Sequence, residues 1–337
     1  MDKWGLMSMT LPSEFLGKHR IILGNLPLLG VSYQGASKDG EYEERFRDKG
    51  EVKKVIKVAL SHGVRFLAAS SRAFNPLAQS YLDAVKEVEA EEEKEIRLIP
   101  CVDVPLRLKG RGVDDLRRWR THLEYETASY GSQIRRRYLE DPILNCRRGW
   151  KEGLISAKPY GHGELVNDLR VDWKAWEASV NEFIGYNVGW VEPGSGTDLL
   201  AISRIDLLEE LLEKTKRMGH RVLLGSHHFS VTSRLLFERD VKGYDGFVTP
   251  VNRLEAMMFP TQKVVEESIK DARKRNKLVV AIKPFAGGRV QPEEALAYVF
   301  RNVGVDACMV GVGSVAEAET DFRAAERVLS GSPIRGL

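Results

Sequence analysis

Short apolar runs recur along the chain, each followed by a polar turn and then by a stretch whose apolar residues fall three and four apart. The runs are IILGNLPLLGVS (21–32), GVRFLAAS (63–70), IRLIPCVDV (96–104), VGWVEPG (188–194), RVLLGS (221–226), GFVTPV (246–251), LVVAIKPF (278–285) and ACMVGVGS (307–314). Continuous apolar segments bounded by Gly, Pro and Ser predict strands buried on both faces, as in a parallel sheet. The stretches between them, including 51–62, 76–95, 171–183, 204–219, 261–276, 292–304 and 315–329, carry an apolar stripe with charge opposite and predict amphipathic helices. Eight strands alternating with helices predict a (β/α)8 TIM barrel in one domain over residues 1–337. The rival is an open doubly wound sheet. It would need a GxGxxG after an early strand, and the GVGS at 311–314 comes far too late for that.

Residues 105–170 break the rhythm. This stretch after the third strand is rich in Arg (Arg117, Arg118, Arg120, Arg135, Arg136, Arg137, Arg147, Arg148) and in aromatics (Trp119, Tyr125, Tyr130, Tyr138, Trp150, Tyr160). An insertion at this point of a barrel lies on the side of the strand C-termini, so a basic, aromatic lid over the mouth is expected. Its arginines read either as solvated helix faces or as a device for capturing a phosphate or carboxylate.

Composition adds little to this picture but excludes several classes. The formal net charge is +3, with 29% charged and 43% hydrophobic residues, which does not call for a nucleic-acid partner. Cys101, Cys146 and Cys308 form no CxxC pair, so structural zinc and iron–sulfur sites of the usual spacing are not expected. The sparse cysteine fits a reducing compartment. No apolar run reaches the length of a spanning helix, and the first twenty residues lack an apolar signal core and read as a short extension. The expectation is a cytoplasmic protein without a membrane partner. Abundant Arg, Lys and Glu with little Gln hint at a thermophile.

Four segments in the second half carry a family resemblance. RVLLGSHHFSVTSRLLF (221–237), GYDGFVTPVNRLE (243–255), LVVAIKPFAGGRV (278–290) and VDACMVGVGSVAEAE (305–319) resemble, in order and spacing, strands five to eight of the aldo/keto reductase superfamily. PLLGVSYQG (27–35) and GVRFLAAS (63–70) match the first half more loosely. The resemblance implies an oxidoreductase using NADP or NAD, with an Asp, Tyr, Lys and His tetrad. That tetrad is mostly missing. Ala68 stands at the Asp position and Phe74 near the Tyr position; Cys101, Val102 and Asp103 offer no Lys, and Glu192 takes the place of the His. Without a phenol tuned by Lys and Asp, the usual carbonyl reduction lacks its proton donor.

The expected chemistry therefore shifts to Glu192, Lys283 and Asp103 at strand C-termini, in a mouth shared with Ser32, Ser70 and Arg72. A Lys at a strand end acts as a base or forms a Schiff base when burial tunes it, or else it pairs with Glu192 or Asp103 as a structural ion pair. For the cofactor, the resemblance puts Ser226 and His227 where the family's Ser–Asn pair contacts the nicotinamide amide, while Asn252 either joins the cofactor site or satisfies backbone groups near the sixth strand. It also implies a phosphate cradle from Pro284, Phe285, Gly287, Gly288, Gly311, Gly313 and Ser314, with Glu317 near the adenine. The basic residue that would read a 2′-phosphate is missing, since Val315 and Ala316 stand there. His227 and His228 are adjacent and on a strand would face opposite ways, which weakens a two-histidine metal site. The alternative is a non-redox protein on the same barrel: a lyase or hydrolase using Lys283, or a ligand-binding protein without turnover and without a cofactor.

Overall fold

A computed structural model describes residues 19–331; the expected N-terminal extension lies outside them but for its last two residues. Eight parallel strands form one sheet: β1 (Ile21–Gly24), β2 (Phe66–Ser70), β3 (Arg97–Val102), β4 (Glu192–Pro193), β5 (Leu223–Gly225), β6 (Gly246–Pro250), β7 (Leu278–Ile282) and β8 (Ala307–Gly311). Their spatial order is β4-β3-β2-β1-β8-β7-β6-β5. The remaining gap is bridged by Val191 and Val222: Val191 N donates to Arg221 O (2.8 Å) and Leu223 N to Val191 O (3.1 Å). The sheet thus curls into the expected barrel.

Alternation along each strand divides the core in two. Ile22, Phe66, Ala68, Leu278, Val280, Ala307 and Met309 point inward with Trp190 to fill the barrel, while Leu23, Leu67, Ala69, Val279, Ala281, Cys308 and Val310 point outward beneath the helices. The helices follow their apolar stripes. Ile205–Arg217 buries Leu207, Leu208, Leu211 and Leu212 and ends in Lys214, Lys216 and Arg217, where positive charge suits the helix dipole. Gln262–Lys274 starts at Thr261, whose hydroxyl accepts from Val264 N.

The observed strands are shorter than the apolar runs that predict them. Run 21–32 stays extended only to Gly24, because Pro27–Leu29 forms a 3-10 turn. Run 188–194 contributes only Glu192–Pro193 plus single bridges at Val188 and Val191.

The insertion is ordered structure with its own small core. It holds helices Asp115–Tyr130, Gln133–Glu140, Trp150–Ser156 and His162–Asp168, and an antiparallel sheet of Leu106–Leu108 with Arg111–Gly112 and Leu169–Val171. Trp119, Leu123, Ile134, Tyr138, Leu144 and Trp150 pack with Met257 and Phe259 from the loop after β6 and with Ala286 and Val290 from the loop after β7. Asp141 clamps the contact, its carboxylate accepting from the amides of Ile143 and Leu144 (2.9 Å each) and of Met257 (2.5 Å).

Candidate functional site

The C-terminal ends of the strands enclose a cavity of about 560 Å³, a size suited to a cofactor or small substrate. The barrel brings Glu192, Asp103 and Lys283, far apart in sequence, to its wall. Ala68, Ser70, Cys101 and Phe74 line it too, so the places of the missing tetrad face the same space.

Glu192 ends β4 directly opposite Cys101 of β3 and is only 8% exposed. Burial pushes its carboxyl up to about 8. Lys283 opposes this with its positive charge, the negative charge of Asp103 adds to it, and a hydrogen bond from the Cys101 thiol again favours the ionised form. At neutral pH the carboxyl is mostly protonated. Burial and the nearby Glu192 and Asp103 push the Cys101 thiol well above its usual range, so it is a poor nucleophile. Gly225 makes room for this arrangement: a Cβ there would fall 2.6 Å from Glu192 Oε1 and 2.9 Å from Pro193 O.

Lys283 leaves β7 in the left-handed region (φ 56°), followed by Ala286 (φ 47°), Gly287 (φ 69°) and Gly288 (φ 74°). A lysine rarely adopts this conformation, and strain of this kind gathers at functional sites. Its ammonium is not held against a carboxylate in a structural ion pair. Nζ lies 4.8 Å from the centre of the Tyr33 ring, a cation–π contact that keeps the charge on the cavity wall. The Tyr33 carbonyl is in turn held by Arg289 Nη1 (3.1 Å) and the Cys146 thiol (3.1 Å).

The residues expected to hold a cofactor divide. Pro284, Phe285, Gly287, Gly288, Gly311 and Glu317 line the cavity, as do Ser226 and His227. Burial holds the His227 imidazole well below its ordinary range, with Lys283 adding to this, and its Nδ1 is buried without a partner. His228 faces away into the insertion, its Nδ1 3.0 Å from Glu126 Oε1 and 3.1 Å from the Tyr138 hydroxyl.

Three expectations require correction. Asn252 is wholly buried, and its side-chain amide closes the turn after β6 by bonding both the N–H and the carbonyl of Ala256 (2.9 Å each). The Gly313 amide donates to Glu317 Oε2 (2.7 Å), and the Tyr42 ring lies where a Gly313 Cβ would be (2.2 Å). Ser314 caps the helix Val315–Leu329, accepting from Glu317 N. The Gly313 amide is thus taken by the chain's own carboxylate, and the Ser314 hydroxyl by the helix cap.

Two residues escape a reading of the sequence. Asp198 is fully buried behind the β5 turn; its carboxylate accepts from Ser226 Oγ (2.5 Å), Thr232 Oγ1 (2.7 Å) and the His227 amide (2.9 Å). The Ser226 hydroxyl is therefore committed to Asp198. The other is Asp321, 6% exposed on the cavity wall, whose carboxyl burial and the charge of Glu317 push up to about 7. Helix periodicity places both on apolar faces, where only the tertiary packing marks a carboxyl as unusual.

Among the described residues, none from 105–170 lines the cavity. Arg117, Arg118, Arg120, Arg136, Arg137 and Arg147 pair with Glu164, Asp115, Glu124, Glu140, Glu255 and Asp115 respectively, though Arg118 and Arg120 are mostly buried. Among the described residues no group of three metal-ligating side chains is placed to hold an ion. Among the described residues no helix is long and apolar enough to cross a membrane.

No family model and no curated protein matches this sequence. Solved structures do match it in shape. Two structures described as an aldo-keto reductase of Pseudomonas aeruginosa are 14% identical, with TM-scores of 0.50 and 0.51, over 92% of this chain and 90% of theirs. The likeness shows the fold, a (β/α)8 barrel.

Proposed function

Starting from a barrel of the aldo-keto reductase kind, we propose that the mouth cavity is the active site of an oxidoreductase in which Glu192 replaces the phenol as proton donor. The supporting observation is the carboxyl itself, buried at the cavity wall and neutral at physiological pH. A general acid works best with a pKa close to the working pH, which this environment provides. A nicotinamide dinucleotide along the crevice between the β7 loop and the helix after β8 would supply hydride to a substrate carbonyl. The left-handed Gly287 and Gly288 leave room for its approach, and the orphaned Asp321 carboxyl offers it an acceptor; Gly313 and Ser314 do not take part.

Glu192 donates its proton to the carbonyl oxygen as that oxygen gains electrons. The carboxylate left behind is stabilised by the nearby charge of Lys283 and by the Cys101 thiol, the two influences that already favour its ionised form. The apolar barrel layers beneath exclude water from the exchange. Proton return from solvent then resets the site.

The test begins with binding: thermal shift and tryptophan fluorescence with NADH and NADPH, where stabilisation by at least one is expected. Activity on a panel of aldehydes and ketones follows, and Glu192→Gln should lower kcat by roughly 10²- to 10⁴-fold with cofactor binding retained. No stabilisation by either cofactor at millimolar concentration would overturn the reading.

A further inference from the structure

Part of the cavity wall is made by Glu317 and Asp321 of the helix Val315–Leu329, by Tyr42 and Lys38 of the helix Ala36–Phe46, and by Gln34. Helix N-termini ordinarily attract anions. Here that place is filled from within: Glu317 Oε2 accepts the Gly313 amide at 2.7 Å, and Arg45 donates to the Gly313 carbonyl. Four residues on, Asp321 is more than nine-tenths buried, lines the cavity and has no hydrogen-bond or ion-pair partner among the described residues. The Lys38 ammonium is bonded to Glu41 at 2.8 Å.

A buried carboxyl without a partner is costly to the fold, and its cost is recovered when a ligand donates to it. Two vicinal hydroxyls match it well, since a carboxylate accepts two parallel hydrogen bonds and a diol presents two donors at that spacing. A phosphomonoester in the same place brings close to two negative charges against the buried Asp321 carboxyl, with the more exposed Glu317 carboxylate beside it.

We propose that this acidic part of the wall is a subsite for an uncharged vicinal diol, and that it rejects the same group once phosphorylated. This rests on the reading of the cavity given above. Applied to a nicotinamide dinucleotide, it means that the chain takes the form with a free ribose diol, NAD(H), and excludes the 2′-phosphorylated form, NADP(H).

Isothermal titration of the whole chain with NADH and with NADPH tests this, with NADH expected to bind about 100-fold more tightly. Asp321→Ala should weaken NADH binding about tenfold, while the unliganded variant melts at pH 8 no lower than the parent. A carboxyl that merely supported the fold would give the opposite pattern. Equal or tighter binding of NADPH would overturn the subsite and leave the proposed function standing. Unchanged NADH affinity in Asp321→Ala, or a lowered melting point with intact affinity, would overturn the role of Asp321. Binding of neither dinucleotide would overturn both readings.

Discussion

Burial, opposed by Lys283 and the Cys101 thiol and reinforced by Asp103, moves the Glu192 carboxyl from 4.5 to about 8, and the direction fixes how stability depends on pH. The folded protein holds this proton more tightly than the unfolded chain. The contribution is therefore fully present below about 4.5 and is lost as pH rises through 8, at about 1.4 kcal/mol per pH unit in between. Glu192→Gln removes the titration and keeps the shape. Chemical denaturation at pH 6 and pH 9 should show a smaller loss across that interval in the variant than in the parent. An equal loss in both would mean that the carboxyl is not the group concerned. Its residue type could be read from the chain, together with the resemblance that placed it at the end of the fourth strand. Its protonation state could not, because that depends on Cys101 and Asp103 from the end of β3 and Lys283 from the end of β7.

Among the elements, the insertion departs furthest from expectation. Its place after the third strand predicts a basic, aromatic lid over the mouth; it is folded, with arginines in ion pairs and an apolar face packed on the loops after β6 and β7. At the centre of that contact His122 stacks on His228, ring centres 3.8 Å apart, and both His122 nitrogens are buried without hydrogen-bond partners. Burial holds His122 well below its usual range, with the nearby His228 and Arg118 contributing. The folded state therefore resists a proton that the unfolded chain accepts, so stability is complete above about 6.5 and falls as pH drops below it. Replacing an unpaired buried imidazole by an apolar side chain relieves both penalties. His122→Leu should raise the melting temperature at pH 5.5 by more than at pH 8. A lower melting temperature at both would show that the ring serves a polar partner.

For the whole molecule, the seam between β4 and β5 decides whether a mouth exists. Val191→Pro deletes the N–H that bonds Arg221 O at 2.8 Å and should cost about 3 kcal/mol or more, read by urea denaturation. A variant as stable as the parent would mean that the barrel does not depend on this closure. The sequence by itself determined the barrel, because strand alternation and helix stripes are local patterns that each segment carries with it. Only the tertiary structure decided which residues share a cavity, that Asn252 is committed to a turn, that Glu317 occupies the amide of Gly313, and that Asp321 faces the cavity unpaired. Burial and partnership are properties of contacts between segments far apart in the chain, and no local pattern encodes them.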